Sequence, residues 1–467
     1  MDALTADDMM MFINAATTST AQGEFHGGAA DQRLSLDFLH DYVIGNYRDL
    51  YAAALALDIN DHNAALIVRK LLETTGDATE EQRRVEGALI ARRLRLLPPQ
   101  RVYDLFGVLR RARVNNRRTR AIIRDWVAAR PDPAFDAVKY RTGLKRALRH
   151  AHVAPAGELA PFLFTTGHRR RYDTPLLETW RRAHYEQASV YGLPYTVAEG
   201  FAAKHGIDRA TFLKRIEPRL TKLERLRVQG AARRGGADVA IDLGSMPLTR
   251  LASYVLSLPM TERVERRDEL TDALRAAAVR AAGRAAGAWG RVAAVLDDSF
   301  SASGSAQKRR RPLAVALACH HLLAELASEY VPLWTSGRTD ALLAHPYGMT
   351  PLGERVLDAL EHAPDRLLIV SDGWDNAPYG LAAEVLRVWR TRLDPERRVV
   401  AVHLNPVYDA VDFDVKRLAR AVPTVGVRDA EDVPALVEFA RFTEGRAGVA
   451  DLRAHFDDRV ARFLEEG

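Results

Sequence analysis

The sequence predicts a protein of more than one domain, in which an array of helices precedes a doubly wound α/β domain. Three observations predict this fold class. The chain has 467 residues, more than one ordinary domain holds. Up to about residue 290, apolar residues recur at helical spacing, whereas beyond it short β-branched runs alternate with helical patterns. Hydrophobic residues make up 47% of the chain, which excludes wholesale disorder.

The N-terminal part divides into a leader and a helical array. Residues 1–32 are polar and small, and we expect a flexible leader there. From Leu34 to about Leu226, apolar residues follow the spacing of amphipathic helices, and Pro- and Gly-containing breaks separate them. Short loops between such helices predict an irregular array or a solenoid, although no strict repeat period is present. We therefore expect a helical module over residues 33–289, with a linker near Gly230 to Gly236.

The α/β part is predicted over residues 290–467. Its short apolar runs predict five strands, at 292–296, 330–334, 366–370, 398–404 and 422–427. The intervening patterns predict helices at 311–327, 351–362, 380–392 and 432–443. Alternation of strands and helices is typical of βαβ units around a mainly parallel sheet.

The distribution of charge and the cysteine count favour some classes of function and exclude others. Residues 101–250 carry 30 basic and 14 acidic side chains, while residues 297–467 carry 21 basic and 27 acidic ones. A basic block of this size points to a polyanionic partner. The single cysteine, Cys319, excludes an intrachain disulfide framework and a multi-cysteine zinc site. Acid at the N-terminus and the lack of a long apolar run predict a cytoplasmic protein without a membrane segment.

Three segments of the α/β part carry oxygen-bearing side chains at positions that a parallel sheet brings together. Asp297, Ser299 and Ser301 follow the first predicted strand, and Asp372 follows the third. Thr350 precedes a predicted helix. Loops after the carboxyl ends of parallel strands converge on one edge of the sheet. Carboxylates and hydroxyls are hard ligands, so we expect a divalent cation there, most readily Mg²⁺, with Mn²⁺ or Ca²⁺ as alternatives.

The same five residues match a known pattern. The order D-x-S-x-S, then T, then D resembles the metal-ion-dependent adhesion site of the von Willebrand factor A family, over about residues 290–467. The resemblance implies a Rossmann-like domain in which Ser299, Ser301 and Thr350 touch the metal directly. It implies that Asp297 and Asp372 hold the metal mainly through water, and that a sixth position stays open for a partner's carboxylate.

The basic block contains three dense segments with interleaved aromatic and histidine residues. Guanidinium groups bind phosphate bidentately and stack on unpaired bases, so these segments are candidates for contact with single-stranded RNA. The alternative is a solvated helix face whose charges serve solubility. The candidate RNA-binding residues are Arg117, Arg118, Arg120, Lys139, Tyr140, Arg141, Arg149, His152, Arg169, Arg170 and Arg171.

The second basic segment resembles a known RNA-binding module. Lys139-Tyr140-Arg141, a glycine at 143, Leu148-Arg149, His152 and Pro155 are similar to the K-Y-R…G…L-R-x-x-H-x-x-P pattern of the TROVE module in Ro-type proteins. The resemblance implies a HEAT-like helical module before the von Willebrand A domain. It also implies binding of small non-coding RNA, either misfolded or structured.

Two functional hypotheses follow. The first is a non-catalytic, Ro-like RNA-binding protein with a divalent-metal adhesion site. The alternative is a metal-dependent protein-interaction module that acts beside an AAA-type ATPase. A hydrolase is disfavoured, because no nucleophile or base motif accompanies the oxygen ligands.

Overall fold

A computed structural model describes residues 2–165, 171–234, 242–440 and 449–465. The chain forms two compact units. The α/β unit is discontinuous in sequence and combines residues up to Lys70 with those from Leu243 onward. The helical unit spans Leu71–Asp242.

The predicted fold class is confirmed: an all-helical N-terminal region precedes a Rossmann-like α/β part. Helices α5 to α15 belong to the helical unit, and α4, at Asp61–Glu73, crosses its boundary. These helices are α5 Glu80–Leu96, α6 Pro99–Arg111, α7 Arg117–Ala128, α8 Pro133–Lys139, α9 Arg141–Ala151, α10 Leu159–Phe164, α11 Pro175–Arg182, α12 Gln187–Val190, α13 Tyr195–Lys204, α14 Arg209–Ile216 and α15 Lys222–Arg234.

The α/β unit is built around a parallel sheet of five strands in the order β2-β1-β3-β4-β7. A two-stranded antiparallel ribbon, β5–β6, stands apart from it. The strands are β1 Arg291–Leu296, β2 Glu329–Trp334, β3 Arg366–Val370, β4 Val400–Asn405, β5 Tyr408–Asp409, β6 Asp414–Val415 and β7 Thr424–Gly426. The five sheet strands fall where the sequence predicts them.

Helices complete the α/β unit. Helices α20 and α21 share a buried cluster with alternate residues of the sheet, including Ala293, Val295 and Ile369. Helix α19 contacts β1, β2 and β3 and also packs against α16 and α18. The helices of this unit, besides α4, are α1 Asp2–Thr18, α2 Ala29–Asn46, α3 Arg48–Ala53, α16 Leu248–Ser257, α17 Met260–Glu265, α18 Arg267–Ala282, α19 Arg311–Leu326, α20 Leu352–Glu361, α21 Leu381–Arg392, α22 Val433–Phe439 and α23 Val449–Glu465.

The expectation of a flexible leader over residues 1–32 is wrong. Residues from Asp2 to Thr18 form helix α1, whose Met9 and Phe12 are fully buried, and α2 begins at Ala29. Met9, Phe12, Ile13 and Ala16 follow helical i, i+3, i+4, i+7 spacing. The many small residues around them hid this apolar stripe, which packs against β6 and β7.

The expected helical module over residues 33–289 does not form a single compact unit. Helices α16 to α18 belong to the α/β unit, because the buried faces of α16 and α18 pack against α19. Periodicity in a sequence identifies an apolar face but not the element that covers it. The change of pattern near residue 290 therefore marks the first strand and not a boundary between compact units.

Within the described ranges, we find no helix with the length and apolar character needed to cross a bilayer.

Candidate functional site

The candidate metal centre lies where the strand order of the sheet reverses. Strands β1 and β3 are neighbours, but the chain passes from β1 to β2 on one side before it returns to β3 on the other. Ligands of open α/β sheets bind in the crevice at such a switch point. Asp297 directly follows β1, and Asp372 follows β3 after one residue. The backbone N–H of Asp297 donates to the carbonyl of Val370 at 2.9 Å, which fixes the two strand ends together.

Hydrogen bonds join the three loops that carry the predicted ligands. The N–H of Phe300 donates to the carbonyl of Gly348 at 3.0 Å, which links the Ser299–Ser301 turn to the loop before Thr350. The N–H of Thr350 donates to Asn376 Oδ1 at 2.9 Å, which links that loop to the one after Asp372. The predicted ligands therefore stand on one connected set of loops.

The oxygen atoms of the turn after β1 are closely spaced. The N–H of Ser299 donates to Asp297 Oδ1 at 2.9 Å, and the hydroxyls of Ser299 and Ser301 are 3.2 Å apart. Asp297, Ser299, Thr350 and Asp372 are buried, while Ser301 is half-buried. This is a compact set of hard oxygens whose backbone is held in place before any ligand arrives.

Two carboxyl groups face the same buried region. Burial, and next the negative charge of Asp372, raise the pKa of Asp297 to about 7. Two carboxylates without a cation between them repel each other, and burial increases that repulsion. A divalent cation would compensate both charges, so the donor set fits Mg²⁺. In the described part of the chain, no group of three or more His, Cys, Asp or Glu side chains is placed to hold a metal ion.

Asp298 has a different role from its neighbour. Its carboxylate is fully buried and is 2.6 Å from Arg338 Nε. It also accepts hydrogen bonds from the Ser336 N–H at 2.9 Å and from the Thr335 hydroxyl at 2.9 Å. Asp298 is thus neutralised within the fold and anchors the loop after β2.

A segment that sequence analysis did not connect with the site lies against Asp372. The loop between α1 and α2 brings His26 Nε2 to 3.7 Å from Asp372 Oδ2, and the imidazole packs on Trp374 with ring centroids 4.7 Å apart. An ion pair between Glu24 and Lys308 ties this loop to the segment before α19. No signal in the sequence could have revealed the contact, because His26 and Asp372 are far apart in the chain and no periodicity links them.

Large apolar side chains are exposed around the candidate metal centre. Phe300 is 64% exposed, Tyr347 65% and Met349 63%. All three lie on the loops that carry Ser299, Ser301 and Thr350. Several exposed apolar side chains grouped around a polar centre are typical of an interaction surface.

The predicted RNA-binding residues of the helical unit fall into two groups. Some are exposed, and others already form contacts with neighbouring residues of the same unit. Arg118 is engaged, since its guanidinium donates to Glu86 at 2.9 Å and to the carbonyl of Arg83 at 3.1 Å. Arg120 is half-buried, and Arg149 is exposed and lies 5.2 Å from the ring of Phe164. Arg117, His152 and Arg171 are also exposed. Arg169 and Arg170 lie outside the described residues.

The Lys139-Tyr140-Arg141 segment lies at the junction of α8 and α9. Arg141 donates to the carbonyl of Phe162 at 2.6 Å, and its guanidinium lies over the rings of Phe162 and Trp180 at 4.7 and 4.6 Å. Burial lowers the pKa of Arg141. Lys139 Nζ is 3.6 Å from Glu224, and the ring of Tyr140 packs against Tyr103. Arg141 therefore stabilises the packing of the helical unit.

A cavity of about 450 Å³ opens beside this segment within the helical unit. The charged side chains that line it are mostly basic. They are Arg111, Lys139, Arg141 and Arg146, with Asp104 as the single carboxylate. Arg111 and Arg146 are exposed. Neither residue is among the predicted RNA-binding residues.

Comparison with known proteins does not assign the chain to a family. No family model matches it, and no curated protein matches it.

Proposed function

We propose that the chain is a divalent-metal-dependent binding protein whose α/β unit takes a partner protein at the switch point between β1 and β3. One observation carries the proposal. Asp297, Ser299, Ser301, Thr350 and Asp372 stand on three loops that are hydrogen-bonded to one another at the edge where such sheets bind ligands. Five hard oxygens in this setting are a donor set for Mg²⁺, with Mn²⁺ or Ca²⁺ as alternatives.

The chain's own residues prepare this donor set. Backbone N–H groups of Ser299 and Trp374 donate to Asp297 and Asp372 at 2.9 and 3.1 Å, and so hold the two carboxylates in fixed orientations. The serine and threonine hydroxyls add neutral oxygens that do not increase the negative charge. When bound, a divalent cation supplies positive charge between the carboxylates and an attachment point for an oxygen of the partner.

The exposed side chains of Phe300, Tyr347 and Met349 favour a protein as that partner. Apolar and aromatic groups around a polar centre provide the buried contact area of a protein interface, which a small anion does not need. A carboxylate of the partner is the expected group at the metal. An AAA-type ATPase is the first partner class to test, because the sequence resemblance implies it.

The proposal is one of binding and not of turnover. The histidine nearest to Thr350 in the sequence is His345, and its Nδ1 is 3.0 Å from both Arg338 Nη1 and the carbonyl of Leu343. These contacts fix the His345 ring in the loop before Thr350. Because no nucleophile or base motif accompanies the oxygen ligands in the sequence, we propose a non-catalytic protein.

The test compares metal-dependent stability in two matched variants. Ser301→Ala removes a proposed ligand, and Ser303→Ala makes the same change two residues further along the same turn. Mg²⁺ at about 100 times its Kd should stabilise the wild-type protein and Ser303→Ala by about 2.7 kcal/mol. Ser301→Ala should lose most of this gain, measured by denaturant unfolding in Mg²⁺ and in EDTA. Equal stabilisation of both variants, or none of the wild type, would contradict the proposal.

A second candidate function is RNA binding by the helical unit. The observation that favours it is the mostly basic cavity of about 450 Å³ beside the Lys139-Tyr140-Arg141 segment. Arg111 and Arg146 are exposed there and can reach phosphates, while Tyr140 is half-buried at the wall. Small non-coding RNA is the expected ligand, as in the Ro-type proteins that the sequence resembles.

Filter binding of a small structured RNA over a salt series tests this second function. Arg146→Ala should weaken binding and reduce the slope of log K against log salt by about one. Arg84→Ala is the matched control, because Arg84 lies on α5 of the same unit and pairs with Glu81. A wild-type affinity that does not change with salt would contradict RNA binding.

A further inference from the structure

The loop between α1 and α2, residues 19–28, lies against two of the three loops that carry the proposed metal ligands. Besides the ion pair described above, hydrogen bonds anchor it to the segment that follows the Ser299–Ser301 turn. The N–H of Gly23 donates to Gln307 Oε1 at 2.7 Å, and the Ser305 hydroxyl donates to the carbonyl of Gly23 at 2.6 Å. Residues near the start of the chain are therefore held beside the candidate metal centre.

Four aromatic rings form a continuous row that passes through this loop. The ring of Trp374 packs on His26, with centroids 4.7 Å apart. His26 packs on Phe25 at 4.8 Å, and Phe25 packs edge-on against Phe300 at 5.8 Å, distances at which aromatic pairs attract each other. Trp374 is two residues after Asp372, and Phe300 stands between the two serine ligands. The row therefore begins on one ligand loop and ends on another.

The row completes a closed circuit of contacts among the three ligand loops. Hydrogen bonds join the turn after β1 to the loop before Thr350, and join that loop to Asn376 in the loop after β3. Through Phe25 and His26, the ring contacts lead from the loop after β3 back to the turn after β1. Loops linked in a circuit resist moving apart one at a time, so the row contributes to the spacing of the ligand oxygens.

His26 also contacts one of the proposed ligands directly. Asp372 Oδ1 accepts a hydrogen bond from the Trp374 N–H at 3.1 Å, whereas Asp372 Oδ2 lies 3.7 Å from His26 Nε2. Each oxygen of this carboxylate thus has its own neighbour, and the imidazole helps to fix the orientation of the carboxylate. Loss of such a supporting group around a metal site typically weakens metal binding about 10- to 100-fold.

We propose that Phe25 and His26 are positioning residues of the metal centre. They hold the loop of Asp372 and the Ser299–Ser301 turn at the spacing that a divalent cation requires. The proposal rests on the proposed function, because it concerns the same metal centre, and it adds a segment outside residues 290–467 to that centre. By thermodynamic linkage, a cation that binds better when the α1–α2 loop is in place also stabilises the loop in that place.

The experiment measures Mn²⁺ binding to the full chain by the electron paramagnetic resonance of free Mn²⁺, with Mg²⁺ as competitor. Phe25→Ala and His26→Ala should each weaken the affinity about tenfold. Phe25→Tyr keeps the ring and should bind as the wild type does. Leu393→Ala and His362→Ala are the matched controls, at exposed residues on the segments that enter β4 and β3, and should leave the affinity unchanged.

Amide hydrogen exchange gives a second readout, which a role in folding alone would not change. Mg²⁺ should slow the exchange of residues 19–28 in the wild-type protein, because binding at the metal centre and closure of the α1–α2 loop are linked. Phe25→Ala should lose most of this protection, and Phe25→Tyr should keep it. Thermal midpoints without metal identify any variant that fails to fold.

The outcomes separate this inference from the proposed function. If the wild-type protein binds neither Mn²⁺ nor Mg²⁺, the proposed function fails. If the wild type binds but Phe25→Ala and His26→Ala bind as tightly as their controls, the positioning role is refuted while the metal site stands. Tighter binding by these two variants would also overturn it, because the loop would then obstruct the cation.

Discussion

Asp297 and Asp298 are adjacent in sequence, but their side chains meet different surroundings. The charge of Asp298 is compensated by Arg338, and its carboxylate accepts three hydrogen bonds from the loop after β2. Asp297 shares a buried region with Asp372, and no basic side chain among the described residues forms an ion pair with it. One aspartate therefore contributes to the stability of the fold, while the other reduces it in the absence of a cation.

This contrast gives a prediction for two identical substitutions. Asp297→Asn should increase the metal-free stability by about 0.5–2 kcal/mol, because it removes one of two repelling charges, and should abolish stabilisation by Mg²⁺. Asp298→Asn should lower the stability by about 3 kcal/mol, because it leaves the Arg338 charge uncompensated. Urea unfolding with and without Mg²⁺ measures both effects. A loss of metal-free stability in Asp297→Asn would contradict the assignment of its role.

His40 makes the stability of the α/β unit sensitive to acid. Its ring is fully buried, with Nδ1 2.7 Å from the Tyr51 hydroxyl and Nε2 3.1 Å from Asn63 Oδ1. Burial lowers its pKa to about 3. The unfolded chain binds a proton at this histidine below about pH 6.5, but the folded chain does not. The contribution of His40 is therefore present above pH 6.5 and is lost as the pH falls toward 3.

The corresponding prediction concerns the slope of stability with pH. Between pH 6 and pH 4, the wild-type protein should lose up to about 1.4 kcal/mol per pH unit through His40 alone. His40→Gln should be less stable at pH 7 but should show a shallower slope. Unfolding at pH 7, 5.5 and 4.5 measures these slopes, and a parallel decline in His40→Gln would contradict the prediction.

At the scale of elements, helix α1 covers the end of the sheet at β7. The Asn14 side chain accepts a hydrogen bond from the Gly426 N–H at 2.8 Å and donates to Asp414 Oδ1 at 2.9 Å. A Cβ atom at Gly426 would lie 3.0 Å from the carbonyl oxygen of Asn14, so a larger residue there would require α1 or the strand to shift by a few tenths of an ångström. An edge strand with unpaired backbone groups is a site for unwanted pairing, and α1 removes that exposure.

Asn14 should therefore be sensitive to substitution. Asn14→Leu leaves the buried Gly426 N–H and the Asp414 carboxylate without these hydrogen bonds. It should therefore lower the free energy of unfolding by about 1–3 kcal/mol. Asn46→Ala is a control in α2, where an exposed amide donates to the carbonyl of Tyr42 at 2.8 Å. It should cost less than about 1 kcal/mol. Denaturant unfolding compares the two variants, and equal losses would show that α1 does not protect the sheet edge through Asn14.

The elements that sequence analysis predicted well are those whose signal is local. Strands β1 and β3 are almost entirely apolar and buried, as central parallel strands are, and helices α20 and α21 each have one apolar face. Asp297, Ser299 and Asp372 could be grouped because they follow the ends of such strands. Helix α1 was missed because its stripe is short and rich in methionine and alanine. The partner of α16 and α18 could not be predicted, since burial by α19 is a long-range contact.

The same distinction applies to the site. The five oxygen-bearing residues could be predicted as one group because the loops at the strand ends of one parallel sheet converge on the same edge. His26 was missed because its place beside Asp372 depends on how the N-terminal segment folds back. Arg118 and Arg141 were predicted as RNA-binding residues from their charge, but sequence alone does not show that Glu86 and two aromatic rings already engage them.

At the scale of the whole molecule, the two compact units each bury their own apolar core. Phe106 and Trp126 lie in the core of the helical unit, and Val295 and Ile369 lie in the core of the α/β unit. Domains with separate cores commonly unfold in separate transitions. The proposed Mg²⁺ ligands all belong to the α/β unit, so a bound cation stabilises that unit directly.

Differential scanning calorimetry should therefore show two transitions, of which Mg²⁺ raises only one. A midpoint shift of a few degrees is expected for the α/β unit, because about 2.7 kcal/mol is gained at 100 times Kd. Leu148→Ala, in the core of α9, should lower the other transition and leave the metal-dependent one in place. Equal movement of both transitions with Mg²⁺ would contradict independent unfolding.

The discontinuity of the α/β unit has a consequence for the order in which the chain can fold as it is synthesised. Asn14 leaves the ribosome about 400 residues before its partner Asp414. At 5–20 residues per second, this separation corresponds to roughly 20–80 s. During that time helix α1 has its apolar stripe but not the β6 and β7 strands that pack against it, whereas the last residue of the helical unit, Asp242, is added little more than halfway through the interval. Nascent α1 therefore keeps an apolar stripe without its strand partners until the C-terminal part of the chain is made, and such exposed apolar surface is what chaperones bind.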